Sequence, residues 1–254
     1  GSDTLNVNTG AGNDTVTFND NQVTTAGAQT LDYTGVSDLN VNTEGGDDTV
    51  NVDLSNDVSG LNVTIDGGAD NDELNVNGTN PITVASTEVT ADDAGTTATY
   101  NNVETVNVNG GSSSDVTFQG TTGDDDMTYT PDTGAFTATT FTAGVNVTNA
   151  NSVTFDGNGS NDTLTFNGTT GVDDVLVEQP ADYVVTINTV PHDVVNITQL
   201  NVNGLAGDDT FTVNPHEYTN GMGILLDGGA DNDTLTINGD AADDFVVDYG
   251  AGTI

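Results

Sequence analysis

Apolar and polar residues alternate along most of this chain in short runs, as in Leu5-Asn6-Val7, Val50-Asn51-Val52 and Leu235-Thr236-Ile237. Alternation over a few residues rich in Val, Thr, Ile and Phe is the pattern of a strand with one buried face. Gly and Asn interrupt every window long enough for a helix, and β-branched side chains are stiffened by a helical backbone. The pattern predicts an all-β protein whose apolar alternates line an interior and whose Thr and Asn face water.

A second, longer pattern is laid over the first. An apolar residue, a Gly/Asn/Asp run, an Asp, one further residue and a second apolar residue recur with the two apolar positions nine apart. The copies run Val7 to Val16 (VNTGAGNDTV), Val41 to Val50 (VNTEGGDDTV), Ile65 to Leu74 (IDGGADNDEL), Phe155 to Leu164 (FDGNGSNDTL), Val202 to Phe211 (VNGLAGDDTF) and Leu226 to Leu235 (LDGGADNDTL). The key Asp of each falls at Asp14, Asp48, Asp72, Asp162, Asp209 and Asp233, and a weaker copy (GGSSSDVTF) adds Asp115. Asp126, Asp174 and Asp244 form a secondary set, each 11 or 12 residues after a member of the first. The common step is about 23–24 residues, two strand-plus-turn halves, as expected of a repeat architecture.

Such coils, stacked at the ~4.8 Å strand spacing, predict a parallel β-helix or β-roll solenoid of about eleven rungs, roughly 50 Å long. The five prolines sit at plausible breaks, among them Pro81, Pro131 and Pro191, in keeping with their exclusion from ladder interiors. From Pro81 to Tyr100 and from Pro131 to Ala150 the Gly-Asp signature fades while alternation persists. The pair Asp48/Asp72 returns as Asp209/Asp233, both displaced by 161 residues. The expectation is one acidic solenoid over residues 1–254, part of a longer chain; two domains joined near residues 131–150 are the alternative.

Charge changes what that solenoid needs. The chain has 40 Asp and Glu, no Lys, no Arg and two His, a formal charge of −40. Self-repulsion on that scale opposes a compact state, and a composition this acidic otherwise reads as disordered. The alternation favours a fold, so cations from outside are expected to neutralise it. There is no Cys for a disulfide or a thiolate site. The acidity disfavours nucleic acid and anionic membranes, and no apolar run approaches a membrane span of ~20 residues.

Gly allows left-handed turns, and Asp and Asn tolerate them while offering oxygen ligands. An all-oxygen supply suits Ca²⁺ better than Zn²⁺, which wants His or Cys, or Mg²⁺, which wants strict octahedra. GGADNDELNV and GGADNDTLTI resemble the repeats-in-toxin (haemolysin-type) motif Gly-Gly-x-Gly-x-Asp-x-apolar-x, and TGAGNDTVT matches it at Gly10, Gly12, Asp14 and Val16. That resemblance implies multiple calcium ions held by turn carbonyls and by Asp14, Asp48, Asp72, Asp162, Asp209 and Asp233. Asp70 and Asp231, which replace the motif's third Gly, Asp66 and Asp227, which open the same turns, and Asp126, Asp174 and Asp244 complete the candidate ligands. Family members run the nonapeptide in tandem as 18-residue coils, whereas the step here is nearer 24, so bridging ions need not occupy the same sites.

Enzymatic β-helices of the lyase type commonly use Lys or Arg, both absent, and no carboxylate pair breaks the repeat as a glycosidase site would; no catalysis is expected. His192 and His216, beside Pro191 and Pro215, are expected in surface turns. Thr163-x-Thr165, Thr210-x-Thr212 and Thr234-x-Thr236 could form a flat face for glycan or ice, the alternative to a structural role. The leading expectation is a calcium-stabilised extracellular or cell-surface module: adhesin stalk, fibre or filament subunit, surface layer or biofilm matrix. Its expected partners are calcium ions and either further copies or other surface components, with no nucleic acid and no membrane insertion. A polysaccharide-degrading β-helix is the remaining possibility.

Overall fold

A computed structural model of the protein describes residues 3–19, 21–27, 30–55, 61–79, 81–91, 96–111, 114–179, 182–214 and 221–239. The chain lays down β1 (Asp3–Asn8), β2 (Thr15–Asn19), β3 (Gln22–Thr25), β4 (Leu31–Asp32), β5 (Val36–Asn42), β6 (Thr49–Asp53), β7 (Asn62–Asp66) and β8 (Glu73–Asn77). There follow β9 (Ile82–Ala85), β10 (Glu88–Ala91), β11 (Thr96–Asn101), β12 (Thr105–Asn109), β13 (Asp115–Gln119), β14 (Asp126–Thr130), β15 (Ala135–Ala138), β16 (Gly144–Thr148) and β17 (Ser152–Asp156). The last strands among the described residues are β18 (Thr163–Asn167), β19 (Asp174–Glu178), β20 (Tyr183–Ile187), β21 (Val190–Val195), β22 (Gln199–Asn203), β23 (Thr210–Asn214), β24 (Gly223–Asp227) and β25 (Thr234–Ile237). The class is all-β and solenoid-like, as the alternation predicts.

Two sheets share these strands. The 13-stranded sheet runs β1-β5-β7-β11-β10-β9-β13-β17-β21-β20-β19-β23-β25, and the 12-stranded sheet β24-β22-β18-β14-β15-β16-β12-β8-β6-β2-β3-β4. The chain generally crosses from one sheet to the other at each turn, so successive strands of one sheet pair in parallel. The other sheet serves as the crossover that parallel strands require. At ~4.8 Å per strand the longer sheet extends about 60 Å.

Among the described residues, four meanders interrupt the parallel pairing. β2–β4 and β14–β16 lie in one sheet and β9–β11 and β19–β21 in the other, each with antiparallel neighbours. A meander replaces one strand by three, and its third strand runs as its first does, so the coil continues in the same sense. The chain also doubles back: β9 pairs with β13, ahead, whereas β11 pairs with β7, behind. Partners are therefore 24 residues apart at Asn51/Asn75, where the chain passes straight round, but 34 at Thr17/Asn51 and 39 at Asn107/Asn146. The two stretches where the signature fades hold β9–β11 and β15–β16, the second following directly on β14. The meanders at β2–β4 and β19–β21 carry no such mark in the sequence.

Every second residue turns inward. Val16, Leu39, Ile65, Leu74, Val106, Phe118, Phe155, Phe166 and Leu200 belong to one continuous apolar core between the sheets. Its middle is aromatic: Phe118 stacks on Phe136 at 3.8 Å between ring centroids, and Tyr129, Phe155 and Phe166 close round them. On the outer face, amides hold the rungs in register. Asn51 donates to Thr17, Asn75 to Asn51, Asn107 to Asn75 and Asn146 to Asn107, at 2.9–3.1 Å. A slip of one residue would break this ladder and turn the core outward.

Candidate functional site

The strong repeats form the turns between the sheets, and the key Asp of each is the residue immediately before a strand. In four of the six strong copies the carboxylate is buried, whereas Asp14 is half-buried and Asp233 is exposed. Asp48, Asp72, Asp162 and Asp209 are all less than 5% exposed. Each side chain turns along the stack, where its Oδ1 accepts the backbone N–H of the key residue on the adjacent rung. Asp14 donates to Asp48 at 2.7 Å, Asp48 to Asp72 at 2.9 Å and Asp72 to the Glu104 carboxylate at 2.8 Å. Asp125 donates to Asp162 at 2.9 Å, Asp173 to Asp209 at 2.7 Å and Asp209 to Asp233 at 3.0 Å. Bonds from an amide to an ionised acceptor are the stronger kind.

The residue just before the key position makes a second ladder that points the other way. Asp47 donates its amide to Asn13 Oδ1, Asn71 to Asp47, Asn161 to Asp124 and Asn232 to Asp208, at 3.0–3.1 Å. Adjacent turns are thereby zipped twice, by bonds of opposite polarity. This accounts for the paired Asp/Asn-Asp ending of the repeat.

The ladders do not form one column. Asp14, Asp48, Asp72, Asp125 and Asp162 lie in turns that leave the 13-stranded sheet for the other, whereas Asp173, Asp209 and Asp233 lie in turns that return to it. These are opposite edges of the stack. The fixed displacement of Asp48/Asp72 onto Asp209/Asp233 thus relates two different edges. Each run ends on a meander or its substitute: Thr140 Oγ1 bonds Asp125 Oδ1, Asn188 Nδ2 bonds Asp173 Oδ1, and Glu104 closes the stack above Asp72.

The second carboxylate oxygen separates two kinds of turn. In Asp14, Asp125 and Asp173, Oδ2 accepts the amide four residues earlier, from Gly10 (3.3 Å), Thr121 (2.7 Å) and Thr169 (2.7 Å). In Asp48, Asp72, Asp162 and Asp209 it is buried with no hydrogen-bond partner. The competing group is visible in two of these four: the amides of Glu44 and Asn158 bond the side chains of Asn42 and Asp156 instead, the local Asx turn that such residues favour. Burial pushes the carboxyls of Asp72, Asp162 and Asp209 above the usual range, against the amide bond each accepts, and neighbouring acids push the same way. Asp115, at the surface, moves down because Asn151 and Ser152 donate to it.

Glycine is required where the carboxylates tuck in. A Cβ on Gly204 would lie 2.2 Å from Asp209 Oδ2 and 2.7 Å from the Gly228 carbonyl oxygen, and one on Gly68, at φ +102°, would lie 2.1 Å from the Glu44 oxygen. Asp70 and Asp231 share the left-handed φ of +82°, so they replace the motif's third Gly in backbone geometry as well as in position.

The expectation of multiple bound calcium ions is overturned by this arrangement, and calcium as a partner falls with it. Among the described residues no group of three or more His, Asp or Glu side chains is placed to hold a metal ion. The reason is geometric. Each turn with a buried key Asp contributes one inward carboxylate, committed to an amide, while Asp70, Asp126, Asp174, Asp227 and Asp231 are exposed around the turns and Asp66 accepts from Asn102 Nδ2 at 2.8 Å. Asp244 lies outside the described residues, as does His216.

Three further expectations meet the geometry differently. The buried positions equivalent to the key Asp are Asp125 and Asp173, one residue before the secondary-set Asp126 and Asp174, and Ser114 rather than Asp115. His192 is not in a surface turn but is 2% exposed, inside β21. Thr163 and Thr165 belong to one sheet and Thr210, Thr212, Thr234 and Thr236 to the other, so these threonines form no single array.

A scan against protein-family models finds no match, and a search of curated proteins finds no significant relative. The likeness to the repeats-in-toxin motif is confined to the turn sequences. Fold and site together define a repetitive, solenoid-like β-protein whose turn carboxylates are structural acceptors. Among the described residues, no helix is long and apolar enough to cross a membrane.

Proposed function

We propose that this chain is a non-catalytic, extracellular structural module, a stiff spacer in a stalk, fibre, surface layer or biofilm matrix. The observation that carries this reading is the commitment of the buried turn carboxylates to the backbone of the next rung. Residues that would be candidates for acid–base work are consumed in holding coils together. Stiffness in this reading comes from two continuous sheets, a shared core and the doubled turn ladders, each of which must break rung by rung if the stack is pulled or bent. An acidic exterior keeps such a rod solvated and separate from anionic surfaces.

Labelling intact, unpermeabilised cells of the source organism with an antibody to this chain tests the placement. Surface label supports the module as proposed; label seen only after permeabilisation removes the extracellular role. Small-angle scattering tests the form. A rod about 60 Å long is expected from the strand count, and a sphere of the same mass would contradict a spacer.

A further inference from the structure

We infer that His192 is an acid-sensitive latch: its neutral imidazole holds the β19–β21 meander in the core, and protonation opens that meander. The placement is unusual for a titratable side chain. His192 projects inward from β21, paired through Val153 to β17 and through Val185 to β20. Its ring lies 5.4 Å from those of Tyr129 and Phe166 and 6.2 Å from that of Phe155. Neither ring nitrogen has a hydrogen-bond partner, and both are buried. An imidazolium here would be a buried charge without a counter-ion, among the costlier things a core can hold.

The surroundings offer no rescue. The titratable groups on the elements packed against it are Tyr129 and Asp126 of β14, Asp132 of the β14–β15 turn, Asp156 of β17, Tyr183 of β20 and Asp193 of its own strand; β18 has none. Asp126, Asp132 and Asp193 are exposed and Asp156 accepts from Asn158 and Asn196; Asp132 lines the groove beside the ring, yet neither imidazole nitrogen has a hydrogen-bond partner. Burial lowers the imidazole to about 4. A route for protons exists nonetheless: Tyr129, Pro131, Val147, Val153, Val190 and His192 line an open groove of about 300 Å³.

The element that would yield is already marked. The turn that follows β21, Asn196–Thr198, has no key carboxylate; Thr198 donates to the Asp162 carbonyl in its place. On this edge the rung holding the imidazole lacks the carboxylate lock that Asp162 gives the turn after β17, while at the opposite edge Asn188 of the β20–β21 hairpin ties the meander to Asp173. A histidine neutral in the folded state and free to ionise in the open one favours opening as pH falls below 6.5, until about 4.

The test compares the whole chain with His192→Phe and His192→Leu, by hydrogen exchange corrected for intrinsic rates over residues 183–195, from pH 7 to pH 4. In the wild type the opening equilibrium of this segment should rise roughly a hundredfold across that range relative to either variant. The His192 Cε1–H resonance of the wild type should show no titration near pH 6.5. A wild-type segment whose pH dependence matches that of a folded variant overturns the proposal. So does a resonance that titrates near 6.5, which needs no variant to fold.

Discussion

An aspartate one residue before a strand acts differently from an aspartate one residue later. Asp125 is buried and bonded on both oxygens, whereas Asp126 beside it is exposed. In the four copies whose key Asp is buried, that Asp precedes an inward apolar residue by two, as Asp48 precedes Val50 and Asp162 precedes Leu164. Applied to Met127 and Val175, that offset selects Asp125 and Asp173, so the correct residues were legible. What could not be read was the fate of Oδ2, which at Asp48 and Asp162 is decided by an Asx turn that takes the amide four residues back. Asp209→Asn tests this at one position. It keeps an acceptor for the Asp173 amide and removes a charge that burial, Asp173, Asp233 and Asp208 all disfavour. A raised carboxyl costs stability at pH values above its folded-state value, and the cost disappears as pH falls toward 3.8. The variant should therefore have a higher urea midpoint than wild type at pH 7, with the gain fading near pH 4. A lower midpoint at pH 7 would show that the ionised acceptor is worth more than its desolvation costs. His192 was missed for a different reason: Pro191 beside it suggests a turn, but Pro191 lies in an exposed position of β21, paired with Thr186 of the hairpin.

At the scale of elements, alternation alone located the strands, since inward apolar residues are required whether a strand pairs parallel or antiparallel. Direction was not legible. A meander and a straight coil share the same period of two, and only the fading of Gly-Asp turns hinted at β9–β11 and β14–β16. The β14–β15 hairpin turns on Gly134, at φ +70°, where a Cβ would lie 2.0 Å from the Val147 carbonyl oxygen of β16. Gly134→Ala should cost roughly 2 kcal/mol or more by urea denaturation, because backbone rather than a flexible side chain must yield. Gly123→Ala, where the nearest atom is the Thr121 hydroxyl at 3.5 Å and φ is not left-handed, should change stability by less than about 1 kcal/mol. Equal effects would mean that the meander does not depend on a tight close at Gly134.

The whole molecule has to tolerate its charge, and two populations of acid share that burden. The buried Asp72, Asp162 and Asp209 respond to pH, since their carboxyls are pushed up; they gain as pH falls through their raised values toward 3.8, while His192 loses between 6.5 and about 4. These slopes oppose each other, so on acidification the loss at His192 offsets part of the gain from the three carboxyls. His192→Phe should remove that offset. The exposed acids respond instead to screening. With −40 charges and no Lys or Arg, repulsion between turns ~4.8 Å apart is long-ranged in dilute buffer, where the Debye length is ~30 Å at 0.01 M, and short-ranged at 1 M, where it is ~3 Å. The melting temperature at pH 7 should therefore climb by several degrees as NaCl is raised from about 0.01 to 1 M, with most of the rise below a few tenths molar. KCl should act alike, because the effect is one of ionic strength and requires no ion-specific site. A melting temperature indifferent to NaCl would mean that repulsion among the turns does not limit this fold, and that the amide ladders and the core far outweigh it.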